Sequence, residues 1–344
     1  MTHKAQRRPI SLALQGGGSH GAFTWGVLDA LLEDERIVIE AISGTSAGAM
    51  NAAMLLSGHA RGGVQGAREA LERFWLTVGG YANLSPVRRT WLDQWMGNWN
   101  LDHSPLSQWS GMVRQMVSPY QGNPLNIDPL RAVLEQQLDI EALRACDSMD
   151  IFVAATNVRT GRARVFDKTD ISLEALLASA CLPYLSQAVE IDGCDYWDGG
   201  YMGNPAIWPL IYHARTNDVV LVQINPLERD EVPKTPAEIS NRLDEIAFNS
   251  SLMHEMRAIA FVQRLLERGA LQGPLASHYR SMRMHMIADP DGMRAVGISS
   301  KMNAHAPFIA HLKEMGRACA LQWLEAHFNS LGRHSTLDIR ASFL

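Results

Sequence analysis

The chain has 344 residues, 47% of them apolar and 19% charged, with a formal net charge of −5. That is the composition of an ordinary globular protein with a large core, and its mild acidity speaks against nucleic acid as a partner. Cys146, Cys181, Cys194 and Cys319 are scattered, with neither metal-ligand nor disulfide spacing, so no metal is expected and a reducing, cytoplasmic setting is. "MTHKAQRRPISLALQ" has no apolar h-region of a signal peptide, and no run of about 18 apolar residues predicts a membrane span. Peripheral membrane contact and self-association stay open.

"PISLALQGGGSHGAFTWGVLDALLED" predicts strand, glycine turn and helix. Ile10 to Leu14 form a short apolar run, and Phe23, Val27, Ala30 and Leu31 recur at helical spacing. "IVIEAISG" predicts a second strand and "SAGAMNAAMLLSG" a second helix, so the start of the chain alternates as an α/β fold with a mostly parallel sheet does. The stretch 79–120 is irregular and rich in tryptophan. "NIDPLRAVLEQQL" predicts a helix capped by Asn126 or Asp128 ahead of Pro129. "DIFVAATNVRTGRARVFD" predicts a hairpin, "ISLEALLASACLP" a helix stopping near Pro183, and "VEIDGCDYWDGGYMGNPA" a short hairpin entering a glycine-rich loop. "NDVVLVQIN" predicts a buried strand. Beyond it, "TPAEISNRLDEIAFNSSLMHEMRAIAFVQRLLERG" predicts one long amphipathic helix, with Ile239, Leu243, Ile246, Met256 and Ile259 toward one side. "YRSMRMHMIAD" predicts a late strand and "HAPFIAHLKEMGRACALQWLEAHF" a last helix. The expected organisation is a core over 8–230, with a tryptophan-rich insertion near 79–120, and a mainly helical extension over 231–340 packed on it.

Three blocks carry chemistry. Gly44-Thr45-Ser46-Ala47-Gly48 is a G-x-S-x-G run between a strand and a helix, the pattern of a nucleophile elbow. Such a turn exposes the serine hydroxyl, and the next helix begins with free N–H groups. A plain strand-to-helix turn is the competing reading. The second block is "QGGGSHGAF", in which Gly16, Gly17 and Gly18 follow the first strand and open a helix. Several N–H groups can there face one anion, as an oxyanion hole or a phosphate cradle. The third is "YWDGGYMGNP", where Asp198 opens a loop and can accept the Ser46 proton. A Ser-Asp-His order using His254, His278 or His285 fits less well: only two strands fit ahead of Ser46, and none of these histidines sits in a recognisable loop motif.

Together the three blocks resemble the patatin-like phospholipase family over roughly residues 8–230, with "ASACLPYLSQ", containing Pro183, as a further matching segment. The resemblance implies a three-layer α/β/α sandwich around a mostly parallel sheet. It further implies a serine acyl hydrolase with Ser46 as nucleophile and Asp198 as base, and an oxyanion hole from Gly16, Gly17, Gly18 and the Ala47 N–H. No cofactor is implied. Gln15 and His20 stand where the family's commonest form has an aspartate and a basic residue, so a fixed positive charge is missing from the loop. His20, in this loop, and Pro183, in the segment matched near the aspartate, are substrate-binding candidates.

Trp75, Trp91, Trp95, Trp99 and Trp109 are five of the nine tryptophans. Trp91, Trp95 and Trp99 would share a helical face, as a lid meeting lipid or as a packed stripe. The expected substrate is a lipid ester. Esters, thioesters or hydroxyalkanoate oligomers cleaved by the same dyad are alternatives, as is a non-catalytic lipid-binding regulatory protein; a nucleotide-binding enzyme is a more distant reading.

Overall fold

The computed structural model describes residues 7–82, 98–101, 116–270 and 279–344. Strand β1 (Arg8–Leu14), helix α1 (Gly21–Glu33), β2 (Ile37–Gly44) and α2 (Ala47–Ala82) follow the alternation the sequence predicts. Helix α2 runs on well past the predicted segment and turns at Gly62 and Gly63, whose backbone leaves helical geometry. Among the described residues three short helices follow: α3 (Pro119–Gly122), α4 (Pro129–Gln137) and α5 (Ile140–Arg144). Asp128 is the cap of α4, its carboxylate accepting the Leu130 N–H at 2.9 Å.

The hairpin β3 (Asp150–Asn157) and β4 (Ala163–Phe166) leads into α6 (Leu173–Ser179), which ends several residues before Pro183, sooner than predicted. A second hairpin, β5 (Val189–Ile191) and β6 (Cys194–Asp198), precedes α7 (Trp208–His213) and β7 (Asp218–Gln223). The chain closes with α8 (Pro236–Glu267), β8 (Arg283–Ala288), α9 (Pro290–Val296), α10 (Ala306–His327) and α11 (Ile339–Phe343).

One eight-stranded sheet organises these elements. Its parallel part runs β3-β2-β1-β7-β8, and β4, β6 and β5 add antiparallel pairings at the β3 end. The C-terminal segment, expected to be mainly helical, thus also gives the sheet an edge strand. Alternate residues of the central strands face two cores. Ile10, Leu12, Leu14, Val220 and Val222 pack with α1, α2 and α10 on one side. Ala13, Val219 and Leu221 pack with α7, α8 and α11 on the other, which makes three layers. Helices α1 and α10 cross backbone to backbone: a Cβ on Gly26 would strike the Lys313 carbonyl, and one on Gly316 the Phe23 carbonyl.

Only part of the predicted apolar side of α8 reaches a core. Met256 and Ile259 are buried with Leu252, whereas Ile239, Leu243 and Ile246 are 43%, 62% and 51% exposed. The N-terminal half of this helix turns Glu245 and Asn249 inward and leaves these three apolar side chains outside. Among the tryptophans, Trp75 is buried and donates to Asn51 Oδ1 at 2.9 Å, and Trp99 stacks on Phe308 and His311. Both are packing residues. Trp91, Trp95, Trp109 and most of the expected insertion, as well as His278, lie outside the described residues.

At the end of the sheet away from the serine turn, Asp218 on β7 ties in the C-terminal tail. It accepts from His285 Nε2 at 3.0 Å, from both nitrogens of the Arg283 fork, and from the Gly332 N–H at 2.9 Å. His285 also contacts Thr336 Oγ1 at 2.9 Å, so it is a structural histidine. Burial alone would raise the Asp218 pKa; the His285 and Arg283 hydrogen bonds outweigh it and hold the carboxyl well below the ordinary carboxylate range. Asp218→Ala is therefore expected to lower the unfolding free energy by about 3 kcal/mol, read from urea denaturation at pH 7. A depressed pKa stabilises above the unfolded value of about 4 and loses that contribution as pH falls below it, so the gap between wild type and variant should shrink on acidification.

Candidate active site

The site is built where strand ends meet. Val153 of β3 pairs with Gly44 of β2 and with Phe166 of β4, so β2 and β4 lie on opposite edges of β3. Ala155 pairs with Arg164 of β4 and with Asp198 of β6. Strand β6 therefore occupies the same edge as β2. The two run toward each other, and their C-terminal ends stop opposite Val153 and Ala155, two positions apart. Ser46 follows the first end, and Asp198 is the second.

The turn after β2 puts Ser46 at φ 53°, in the left-handed region that disfavours a side chain. Its strain is held by neighbours. The Ser46 N–H donates to Ser179 Oγ at 2.9 Å, the Ser46 carbonyl accepts from Met50 N–H at 3.0 Å, and Thr45 N–H donates to the Leu14 carbonyl at 3.3 Å. The small residues of the motif make room: a Cβ on Gly16 would lie 2.7 Å from both Ser46 Cβ and the Thr45 carbonyl oxygen.

Asp198 is 1% exposed. Its carboxylate accepts the Gly200 N–H at 2.7 Å, and the nearby Ser46 hydroxyl favours its charged form. Its backbone is fixed by Thr156 Oγ1, which donates to its carbonyl at 2.8 Å, and by its own N–H to the Cys181 carbonyl at 2.8 Å. Burial pushes the Asp198 carboxyl up to about 7, opposed by the Gly200 N–H and by the Ser46 hydroxyl.

The glycine loop divides by depth. Gly16 is buried and its N–H donates to Asn204 Oδ1 at 2.6 Å, which removes it from the expected set of oxyanion donors. Gly17 is half-buried and Gly18 exposed. Among the described residues the N–H groups of Gly17, Gly18 and Ala47 have no acceptor, and Ala47 is the first residue of α2, where an unpaired N–H is the rule. His20 does not reach Ser46. It is buried, with Nε2 2.7 Å from Ser300 Oγ, and burial lowers its pKa so that it stays neutral. Pro183 is half-buried between α6 and β5, and nothing in the geometry ties it to Ser46. His254 is exposed on α8 and His285 is held by Asp218 and Thr336.

Several positioning residues carry no motif in the sequence. Gln15 is the main one. Its Oε1 accepts the N–H groups of Ile224 and Asn225, each at 2.9 Å, and Asn225 Nδ2 at 3.2 Å. Its Nε2 donates to the Asn204 carbonyl at 3.2 Å and to Asn249 Oδ1 at 3.3 Å. One buried amide thus joins the ends of β1 and β7, the loop after β6, and α8. A carboxylate could not supply the two donor bonds, which explains the glutamine at this place. The Asp-Gly-Gly-Tyr-Met-Gly-Asn-Pro stretch did single out the segment holding Asn204; Ser179 and Asn249 lie in ordinary helical sequence.

The fold and site define an α/β protein with a serine elbow set against a buried aspartate. Residues 12–211 match the family model described as patatin-like phospholipase, and the chain belongs to that family. It is a patatin-like lipid acyl hydrolase. Among curated proteins no significant match exists. Among solved structures the chain is similar to VipD from Legionella pneumophila, at 15% identity and TM-score 0.43, covering 94% of this chain and 67% of that one. It is also similar to a chain of the heterodimeric ExoU–SpcU complex from the type III secretion system of Pseudomonas aeruginosa, at 16% identity and TM-score 0.38, covering 94% and 53%. No described helix is long and apolar enough to cross a membrane.

Gln15→Glu tests the wiring. A buried carboxylate would face two acceptor oxygens, and the expected result is a loss of at least about 2 kcal/mol in urea unfolding.

Proposed function

We propose that the chain cleaves carboxylic esters of lipids by a Ser46–Asp198 dyad. The observation that carries this reading is the buried Asp198 carboxylate set, by the meeting of β2 and β6, beside the hydroxyl of a serine held at positive φ. Ser46 Oγ attacks the ester carbonyl while Asp198 takes its proton. The carbonyl electrons move to oxygen, and the oxyanion lies against the N–H groups of Gly17, Gly18 and Ala47. Collapse breaks the bond to the alcohol, which leaves with the proton from Asp198. Water then attacks the acyl-serine with Asp198 again as base, releasing the fatty acid and restoring the hydroxyl. A single donor in such a hole is worth about 3–4 kcal/mol of barrier. No step calls for a metal or organic cofactor.

A lipid substrate suits the surroundings. Helix α8 packs Phe248, an apolar ring, against Gly200, two residues from Asp198. Tyr184 and Met202 are exposed, at 68% and 43%. Apolar side chains grouped on the elements around the site favour a substrate arriving from an aggregate or membrane surface.

Labelling with a fluorophosphonate probe is expected to modify Ser46, and Ser46→Ala should abolish both labelling and ester hydrolysis without loss of the fold. Labelling elsewhere, or an active Ser46→Ala protein, would overturn the dyad. Asp198 must be ionised to act as base, so kcat/KM for a short-chain ester should climb as pH rises through about 7 and flatten above it. Asp198→Asn should lower the plateau by at least about a hundredfold.

A further inference from the structure

Residues 116–127 carry no charged side chain, in a chain that is 19% charged, and neither do residues 175–189. The fold ties these two uncharged stretches together. Gln187 Nε2 donates to the Asn123 carbonyl at 2.8 Å, and the Ala188 N–H donates to the Tyr120 hydroxyl at 3.2 Å. The second stretch also holds both members of the dyad. Ser179 Oγ accepts the Ser46 N–H at 2.9 Å. The Cys181 carbonyl accepts the Asp198 N–H at 2.8 Å, and the Cys181 thiol donates to the Gln187 carbonyl at 3.1 Å. A chain of hydrogen bonds thus runs from Asn123 through Gln187 and Cys181 to Asp198.

What the first stretch shows to solvent is apolar. Met116, Tyr120, Leu125 and Ile127 are 86%, 60%, 81% and 69% exposed, and Tyr184 of the second stretch is exposed with them. This exposure is built in by local hydrogen bonds. Asn123 brackets Ile127: its Nδ2 donates to the Ile127 carbonyl at 2.9 Å, and its Oδ1 accepts the Ile127 N–H at 3.0 Å. Between them Asn126 takes φ 47°, so the chain turns back on itself and Leu125 stands in the turn. Ser118 and Gln121 cap α3 reciprocally, which fixes Tyr120 with its hydroxyl bonded to Ala188 and its ring largely in solvent.

We infer that Met116–Ile127, with Tyr184, is the surface by which the protein docks on a lipid aggregate, its apolar tips entering the boundary between head groups and acyl chains. This rests on the lipid-ester reading of the site and adds the contact that brings the dyad to its substrate. Large apolar side chains held in water are unfavourable, and a fluid interface takes them up without a shaped counterpart. These few side chains on tight turns fall short of the about 20 residues a side of a stable protein interface. Tyrosine suits the boundary, where its ring is apolar and its hydroxyl stays bonded. Because the surface carries no charge, docking needs no anionic lipid and resists salt.

The test is flotation with vesicles of pure dioleoylphosphatidylcholine, using the full chain as Ser46→Ala so that the lipid stays intact. It is run at about 0.1 and 1 M NaCl, where the Debye lengths are about 10 and 3 Å. The Ser46→Ala protein should float equally at both salts. Adding Leu125→Ser and Ile127→Ser should lower the partition coefficient at least about tenfold, with an unchanged urea midpoint because both side chains are exposed. Leu125→Trp should bind at least as tightly as the parent, which a merely structural leucine would not explain. Undiminished flotation of the double-serine variant overturns the proposal. So does binding that needs added phosphatidylglycerol and is lost at high salt, which would assign docking to a basic face. Absence of flotation overturns it as well, and a dimer in sedimentation velocity that the serine substitutions dissolve would then assign the surface to a second copy of the chain. Failure of the wild type to cleave any ester, with flotation as expected, would sink the hydrolase reading and leave the docking surface standing.

Discussion

Along one edge of β3 the hydrogen-bonding positions are shared between β2 and β6, which approach head to head and stop opposite Val153 and Ala155. This arrangement brings a strained serine turn and a buried carboxylate within hydrogen-bond reach. It also leaves the chain little freedom. Past Gly44 the strand cannot continue, because β6 occupies the edge ahead, so the backbone turns at Ser46 and enters α2. The same constraint buries Asp198, and burial is what raises its pKa into the range useful to a base at neutral pH.

Holding that geometry falls to a buried polar network rather than to apolar packing alone. Gln15, Asn204, Asn225 and Asn249 exchange hydrogen bonds across four segments, and Ser179 accepts the N–H of Ser46. The network also decides which donors are left over. Asn204 consumes the Gly16 N–H, so among the described residues the two outer glycines and the start of α2 are the groups whose N–H has no acceptor. A network this densely bonded, in which Asn225 Oδ1 is the one buried polar side-chain atom of the glutamine and three asparagines with no partner among the described residues, makes the site rigid, and substitution within it leaves further unpaired buried atoms instead of a simple cavity.

Local pattern was enough for much of this. Ser46, Asp198 and the glycine run could be picked out because each stands at a strand end among residues small enough to betray a tight turn. The capped helix at Asp128, both hairpins and the late strand at 283–288 were legible for the same reason: their signals fall within a few neighbouring residues. The amphipathic pattern of α8 was legible as a helix but misleading as a core face. Periodicity tells which side is apolar, and only the position of the sheet tells how much of a 32-residue helix it can cover.

The sequence by itself determined the alternating strands and helices, the elbow around Ser46 and the acidic turn at Asp198, because strand length, helical spacing and glycine placement act over short distances along the chain. Tertiary structure alone decided which strand edges adjoin, and so whether the serine meets the aspartate. It also decided that Gly16 gives its N–H to a residue 188 positions away and that Ser46 leans on one 133 positions away. The 3-10 turn Ser299–Met302, whose Ser300 Oγ meets His20 Nε2 at 2.7 Å, belongs to that second group. Nothing in its neighbourhood marks it in the sequence, and it comes to the glycine loop only because β8 and α10 carry the end of the chain back across the sheet. Contacts of this kind depend on how distant segments pack, and a local pattern carries no record of them.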